Sequence, residues 1–191
     1  MSKMCKLDAD KTAVVLGCGM EGLLTVVALK TLGINKIIVI DKESEKSRAM
    51  EFGAWEFIGS HGKNGVAGVK DKIRAAAGDM ADAVFICTDS PMGRNVARRF
   101  MKNSGSICEM GFLCGWRRTP TARYFEDSMP AGGRFYAARD YENCMNFLAK
   151  AAEMKLPLYK LITHRYKLEE INEAMWTVVR EEGLGIAVFN R

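Results

Sequence analysis

The sequence predicts an α/β fold: a doubly wound parallel sheet followed by a short strand–helix–strand tail. Three observations predict it. Continuous apolar runs alternate with helical periods from residue 12 onward, the first run ends in "GCGMEG" (17–22), and the chain changes character after Pro157. Buried parallel strands read as unbroken apolar runs because both of their faces are covered.

"TAVVLG" (12–17) is the first such strand. After the glycine turn, Leu24, Val27, Ala28 and Thr31 fall at i, i+3, i+4 and i+7, one helix face, and Gly33 supplies a C-terminal stop. "KIIVID" (36–41) reads as a second buried strand, and "ESEKSRAMEFG" (43–53) as a helix opened by acidic residues that suit the positive end of its dipole. "AWEFIG" comes next, then a loop containing Asn64-Gly65 and a short helix over 69–78. A strand over 82–88, a helix over 92–102 and a strand over 105–111 follow. Beyond an irregular stretch, "RFYAA" (134–138) reads as the last strand of the sheet, and Met145, Leu148, Ala149 and Ala152 mark an amphipathic helix. This β-α-β order predicts parallel strands with helices on both faces. The tail reads strand, helix, strand, with Ile171, Ala174, Met175 and Val178 on one helix face and Pro157 at the boundary before it.

The chain has 191 residues, room for one large domain or one domain plus an appendage. Lys plus Arg minus Asp plus Glu is 28 − 23 = +5, a mild excess. Arg94, Arg98, Arg99 and Lys102 fall close to one face of the helix predicted over 92–102, where a solvated surface is the expected reading. No aromatic interleaving or nucleic-acid motif accompanies them, so no nucleic-acid partner is expected. The six cysteines are scattered without a C-x-x-C pair, and several lie in apolar runs where a thiol acts as a small hydrophobe. The opening "MSKMCKLDADK" has no apolar stretch of signal-peptide length, and no run is long enough to span a bilayer. A reducing cytoplasm, with no membrane association and no disulfide, is the expectation.

Gly17, Gly19 and Gly22 match G-x-G-x-x-G in the setting that pattern needs, after a strand and opening a helix. The first glycine permits the tight turn, the second lets a pyrophosphate approach the backbone, and the third allows close helix–strand packing. Asp41 ends the second strand, at the spacing expected for a carboxylate on a ribose diol. Together they favour nucleotide binding over a merely structural turn in which Asp41 caps the next helix. A carboxylate there accepts from ribose hydroxyls and repels a 2′-phosphate, which points to NAD rather than NADP, although Lys42 and Lys46 soften that repulsion. S-adenosylmethionine is the rival ligand, since methyltransferases also pair a glycine-rich loop with an acidic strand end.

Beyond the motif, the order of segments resembles the cofactor-binding half of the medium-chain, zinc-dependent alcohol dehydrogenases, in particular their polyol and threonine dehydrogenase-like branch. The pieces that carry the resemblance are "AVVLGCGMEG", "KIIVIDKESEKSRAMEFGAWEFI", "DAVFICTDSP", "GSICEMGF" and "LITHRYKLEEINEAMWTV…EGLGIAVF". They stand in family order and cover nearly all of the chain from residue 12. The resemblance implies a Rossmann-type dinucleotide-binding domain over 1–156 and, over 157–191, a segment of an incomplete catalytic domain. It implies that Gly17, Gly19 and Gly22, with the backbone of Met20 and Glu21, face the pyrophosphate. Asp41 would hold the adenosine ribose with Lys46 near it, and Thr88 and the backbone of Met110, Gly111 and Phe112 would lie by the nicotinamide. His164 falls in a structural turn of the family, and neither it nor His61 is expected to be catalytic. Arg117, Trp116 and Arg134 fall on loops near the cleft without an assigned role.

Two departures qualify the resemblance. The family's catalytic zinc ligands and its proton relay come mainly from an N-terminal domain with no counterpart here, and the cysteines lack ligand spacing. This chain is therefore expected to bind no zinc and to contain no catalytic residue of its own. Glu21 stands where the family has an apolar residue, and a carboxylate near a pyrophosphate costs about 1 to 4 kcal/mol at contact range. It can turn outward, pair with a cation, or weaken binding. The expected function is the NAD(H)-binding part of an alcohol or polyol dehydrogenase, completed by a partner chain carrying the zinc and substrate chemistry. The alternative is a non-catalytic nucleotide-binding or regulatory module with weakened NAD binding. A homo-oligomer or hetero-complex is expected in either case.

Overall fold

A computed structural model of the chain describes residues 7–60, 65–88, 91–109, 140–180 and 183–189. These residues fall into two compact units that divide between Leu156 and Pro157.

In the first unit the strands are β1 (Thr12–Leu16), β2 (Lys36–Asp41), β3 (Glu56–Gly59), β4 (Ala81–Ile86) and β5 (Met101–Glu109). They form one parallel sheet in the order β3-β2-β1-β4-β5. The chain thus builds outward from β1 in one direction, returns, and builds outward from β4 in the other. The helices are α1 (Met20–Thr31), α2 (Lys46–Glu51), α3 (Gly65–Ala77), α4 (Pro91–Ala97) and α5 (Asp140–Glu153). This is the doubly wound arrangement that the apolar runs predict. β1 is buried at all five positions. Val14, Leu16, Ile38, Ile40, Val84 and Ile86 share one face of the sheet with Val69 and Ile73 of α3. Ala13, Val15, Ile37, Val39 and Phe85, on the alternate positions, are equally buried. Both faces being covered is what a run without alternation reports.

Three elements differ from the sequence reading. α1 does not bury the single face of Leu24, Val27, Ala28 and Thr31: Leu23, Thr25, Val26, Val27, Leu29 and Thr31 are buried, while Leu24 and Ala28 are half-buried. The helix lies against β1, β4 and α5 together, and a helix covered on several sides is apolar nearly all round. The "AWEFIG" segment contributes β3, an edge strand of four residues whose pattern is too short to announce itself. α4 ends at Ala97 rather than 102. A 3₁₀ turn over Arg98–Phe100 follows it, and β5 begins at Met101. Phe100 and Met101 enter the core, which draws the chain out of the helix. Arg98, Arg99 and Lys102 therefore do not share a helix face; Lys102 lies on β5, 2.9 Å from Asp82. The strand expected at 134–138 lies outside the described residues.

The second unit, 157–191, has two parallel strands, β6 (Ile162–Lys167) and β7 (Gly185–Phe189), with α6 (Ile171–Val179) between them. The strand–helix–strand reading of the tail is met. Its helix face is not buried as the period suggests: Ala174 and Thr177 are buried, whereas Ile171, Met175 and Val178 are exposed. Tyr166 of β6 holds α6 through Thr177, hydroxyl to hydroxyl at 2.7 Å. No helix among the described residues is long and apolar enough to cross a membrane.

Candidate functional site

The switch point of the sheet lies between β1 and β4, where the crevice beyond the strand ends is left open. The glycine turn closes it. The Gly17 N–H donates to the Ile40 carbonyl at 3.0 Å and the Cys87 N–H to the Leu16 carbonyl at 2.8 Å, so the turn is pinned to β2 on one side and to the end of β4 on the other. Gly17 has φ +103°, a left-handed conformation that disfavours any side chain, and an added Cβ would meet the Cys87 carbonyl oxygen. A Cβ on Gly22 would meet the Gly17 carbonyl, 2.8 Å from its carbon. Gly19 differs from both: an added Cβ finds no atom within 4 Å, because the residue faces open space at the N-cap of α1. The first α-helical bond runs from the Leu23 N–H to the Gly19 carbonyl at 3.0 Å. The amides of Met20, Glu21 and Gly22 precede it and belong to the donors a helix start offers to an anion. The three glycines of the motif thus do three separate jobs, two in packing and one in leaving room.

Asp41 closes the far side of the turn. The Cys18 N–H donates to its Oδ2 at 2.6 Å and the Lys42 N–H to its Oδ1 at 2.6 Å. The sequence places Asp41 at the right distance for a ribose but cannot show this bond, which joins residues 23 apart. The carboxylate ties the turn to β2, and each oxygen keeps a lone pair for a further donor.

A cleft of about 380 Å³ opens here, lined by Leu16, Gly17, Ile40, Asp41, Lys42 and Ser60, and by Val66, Val69, Thr88, Gly93, Val96 and Phe100 of the following elements. Apolar walls and a few polar groups at one end suit a flat base joined to a sugar. Gly17, Asp41 and Thr88, expected from sequence to hold the ligand, line this cleft; Gly19, Met20, Glu21, Gly22 and Lys46 are not among its lining, and Lys46 pairs with Glu43 at 3.8 Å. The positions of Met110, Gly111 and Phe112 lie outside the described residues, as do His61, Trp116, Arg117 and Arg134. Lys42, Ser60 and the valines of α3 and α4 were not legible as lining, since only the crossing of β1 and β4 assembles them.

Glu21 is exposed in the first turn of α1, where a carboxylate also suits the helix dipole. Its charge is felt at Cys87. Burial, foremost, and then Glu21 push the Cys87 thiol up to about 12 against a Thr25 hydrogen bond. Burial, then Glu45 and Asp41, lift Cys18 to about 12 as well, against Arg48. Both sulfurs therefore stay protonated at neutral pH and make poor nucleophiles. Among the described residues no three His, Cys, Asp or Glu side chains are grouped so as to hold a metal ion. His164 bonds Thr163 Oγ1 through Nδ1 at 2.9 Å and stacks on Tyr166, a packing role within the second unit.

Among the described residues the glycine turn, Asp41 and the cleft stand together, and no group of three metal-ligating side chains is assembled. Sorbitol dehydrogenase 1 of Saccharomyces cerevisiae is 28% identical over 178 residues, covering 91% of this chain and 49% of that protein. An alcohol dehydrogenase of Thermotoga maritima superposes with a TM-score of 0.83 at 22% identity, over 95% of this chain and 50% of the other. An alcohol dehydrogenase of Escherichia coli, solved in complex with NADH, superposes with a TM-score of 0.74 at 18% identity, over 98% and 54%. The chain spans about half the length of the curated relatives it matches. Residues 22–150 match the profile of the zinc-binding dehydrogenases, and the chain belongs to that family.

Proposed function

We propose that residues 1–156 form the NAD(H)-binding domain of an alcohol or polyol dehydrogenase, and that 157–191 belong to a catalytic domain completed by polypeptide outside these 191 residues. The observation that carries the reading is the cleft at the switch point, with Gly19 open to the solvent and Asp41 fixed beside it. The NADH bound by one solved relative supports the cofactor, and the polyol dehydrogenases among the curated relatives support the substrate class. Bound NAD would supply the acceptor for a hydride leaving an alcohol carbon; the two electrons go to the nicotinamide, the hydroxyl proton goes to a base, and a carbonyl remains. This chain's part is positioning. Amides of Met20, Glu21 and Gly22 would meet the pyrophosphate, Asp41 would accept from the ribose hydroxyls, and Thr88 would stand toward the nicotinamide. Managing the alkoxide needs a Lewis acid or a base, and among the described residues no group of three metal-ligating side chains is assembled.

The second unit supports a completing partner. Leu168, Ile171, Met175, Trp176, Val178 and Val179 are exposed along α6 and the turn before it. Clustered apolar exposure of this kind marks an interaction surface. Assembly as a homo-oligomer or hetero-complex in the cytoplasm fits this surface and the thiols of Cys18, Cys87 and Cys144, free among the described residues.

A second reading, a non-catalytic nucleotide-binding module with weakened affinity, is favoured by Glu21 alone. Calorimetric titration of the chain with NADH separates the two. Binding in the micromolar to sub-millimolar range, weakened about tenfold by Gly19→Ala with little change in stability, supports the first. Binding seen only in Glu21→Val supports the second. No binding at millimolar NADH in either protein removes both.

A further inference from the structure

Glu21 is the single charged residue of "GCGMEG", and the structure fixes the side of the turn on which it stands. The first turn of α1 is seated on the end of β4. Thr25 Oγ1 donates to the Glu21 carbonyl at 2.7 Å and lies 3.4 Å from Cys87 Sγ, with Thr25 and Cys87 both buried. A Cβ on Gly22 would stand 3.6 Å from the Cys87 Cβ. Two charge neighbourhoods result. The charges that bear on Cys18 are those of Glu45, Asp41 and Arg48, on the β2 side, whereas Glu21 bears on Cys87, on the β4 side. The charged residues lining the cleft among those described, Asp41 and Lys42, stand at the end of β2 and just past it. A dinucleotide crosses such a crevice where the strand order reverses, with one nucleoside at the acidic end of the second strand and its pyrophosphate on the helix start. That leaves the β4 side, where Thr88 lines the cleft, for the second nucleoside.

We propose that Glu21 makes this site discriminate between the two oxidation states of a nicotinamide dinucleotide, favouring the oxidised one. The inference rests on the dinucleotide reading above and adds to it which form is held tighter. The oxidised ring carries a positive charge and the reduced ring none, while adenosine and pyrophosphate are the same in both. A carboxylate on the β4 side attracts the oxidised ring and repels the pyrophosphate of both forms alike. Only the first effect survives in the ratio of the two affinities. The carboxylate is exposed, so solvent screening holds the effect to about one order of magnitude. A site of this kind loads the hydride acceptor and lets the reduced carrier go once the hydride has moved.

The test is equilibrium binding of NAD⁺ and NADH to the whole chain by calorimetry, for the wild type, Glu21→Gln and Glu43→Gln. Low ionic strength keeps the charge effect from being screened away. The amide of Glu21→Gln keeps the shape of the side chain and removes its charge. This variant is expected to lower the preference for NAD⁺ over NADH about tenfold. Glu43→Gln removes a charge on the β2 side and is expected to leave the ratio within about twofold of the wild type. A ratio unchanged in Glu21→Gln overturns the proposal and leaves the dinucleotide site in place; this includes an equal gain for both forms, which a carboxylate facing only the pyrophosphate would give. A shift of the same size in Glu43→Gln, or binding of either form only once the Glu21 charge has gone, overturns it too. Failure of both forms to bind any of the three proteins removes the site and the proposal together.

Discussion

In the first unit β1 is buried at every position, and both faces of the sheet are covered by helices. In the second, β6 alternates exposed with half-buried residues, and only Leu161, Ala174, Thr177 and Gly185 are buried among those described. The two units have apolar residues in plenty. They differ in whether the unit itself supplies the surface that covers them. Trp176 remains 55% exposed, Met175 59% and Val179 65%, although all three belong to a helix with an apolar period. A unit of this size cannot bury enough surface to offset the entropy of ordering its chain. The sheet domain can, and its glycine turn and Asp41 stand at the ends of its buried strands. The lesson is a division in self-sufficiency: one unit buries its own apolar residues, and the other leaves the apolar side of its helix exposed.

The largest effect that would sharpen the contrast comes from the two cores. Phe85 is fully buried, so Phe85→Ala should cost about 3 to 5 kcal/mol in urea unfolding. Met175→Gln, at an equally apolar position of the sequence, should change stability of the chain alone by less than about 0.5 kcal/mol. Equal costs at the two positions would break the comparison, by showing that α6 is covered after all.

A smaller effect concerns the edge of the sheet domain opposite the cleft. Asp82 accepts from the Thr12 N–H at 2.9 Å and from Lys102 Nζ at 2.9 Å. Burial works to raise the Asp82 carboxyl, but the Thr12 and Lys102 hydrogen bonds and the charges of Lys102 and Lys11 outweigh it and hold the group below its ordinary range. The Asp82 hydrogen bond raises Lys102 despite desolvation, with the charges of Asp82, Asp79 and Asp10 adding to it. The signs follow from linkage. A lowered carboxyl contributes stability that is present above its unfolded pKa, about 3.9, and is lost as the pH falls through the folded value. A raised lysine contributes stability that is complete below its unfolded pKa, about 10.4, and is lost as the pH rises through the folded value. Asp82→Ala should therefore cost about 1 kcal/mol at neutral pH and flatten the stability profile at both extremes, read from thermal unfolding across pH.

How much of this was legible in the sequence depends on how local each feature is. The strands could be read because burial on two faces leaves an unbroken apolar run, as in β1 and β2. The early end of α4 could not, since it depends on Phe100 and Met101 meeting the core rather than on any period. Nor could the covered flanks of α1, which α5 reaches from more than a hundred residues away. At the site, the spacing of Gly17, Gly19, Gly22 and Asp41 announces a nucleotide. It does not announce that Asp41 accepts from the Cys18 amide, or that Lys42 lines the cleft while Lys46 pairs with Glu43. Those are facts of side-chain geometry at a chain crossing, where two lysines four residues apart look alike on paper.

Amide hydrogen exchange of the whole chain, with and without NADH, tests the division most directly. The account predicts slow exchange in β1, β2 and β4, exchange faster by orders of magnitude in β6, β7 and α6, and added protection on NADH binding at Cys18–Gly22, around Asp41 and near Thr88. Uniformly slow exchange over 157–189, or protection by NADH that bypasses the glycine turn, would contradict it.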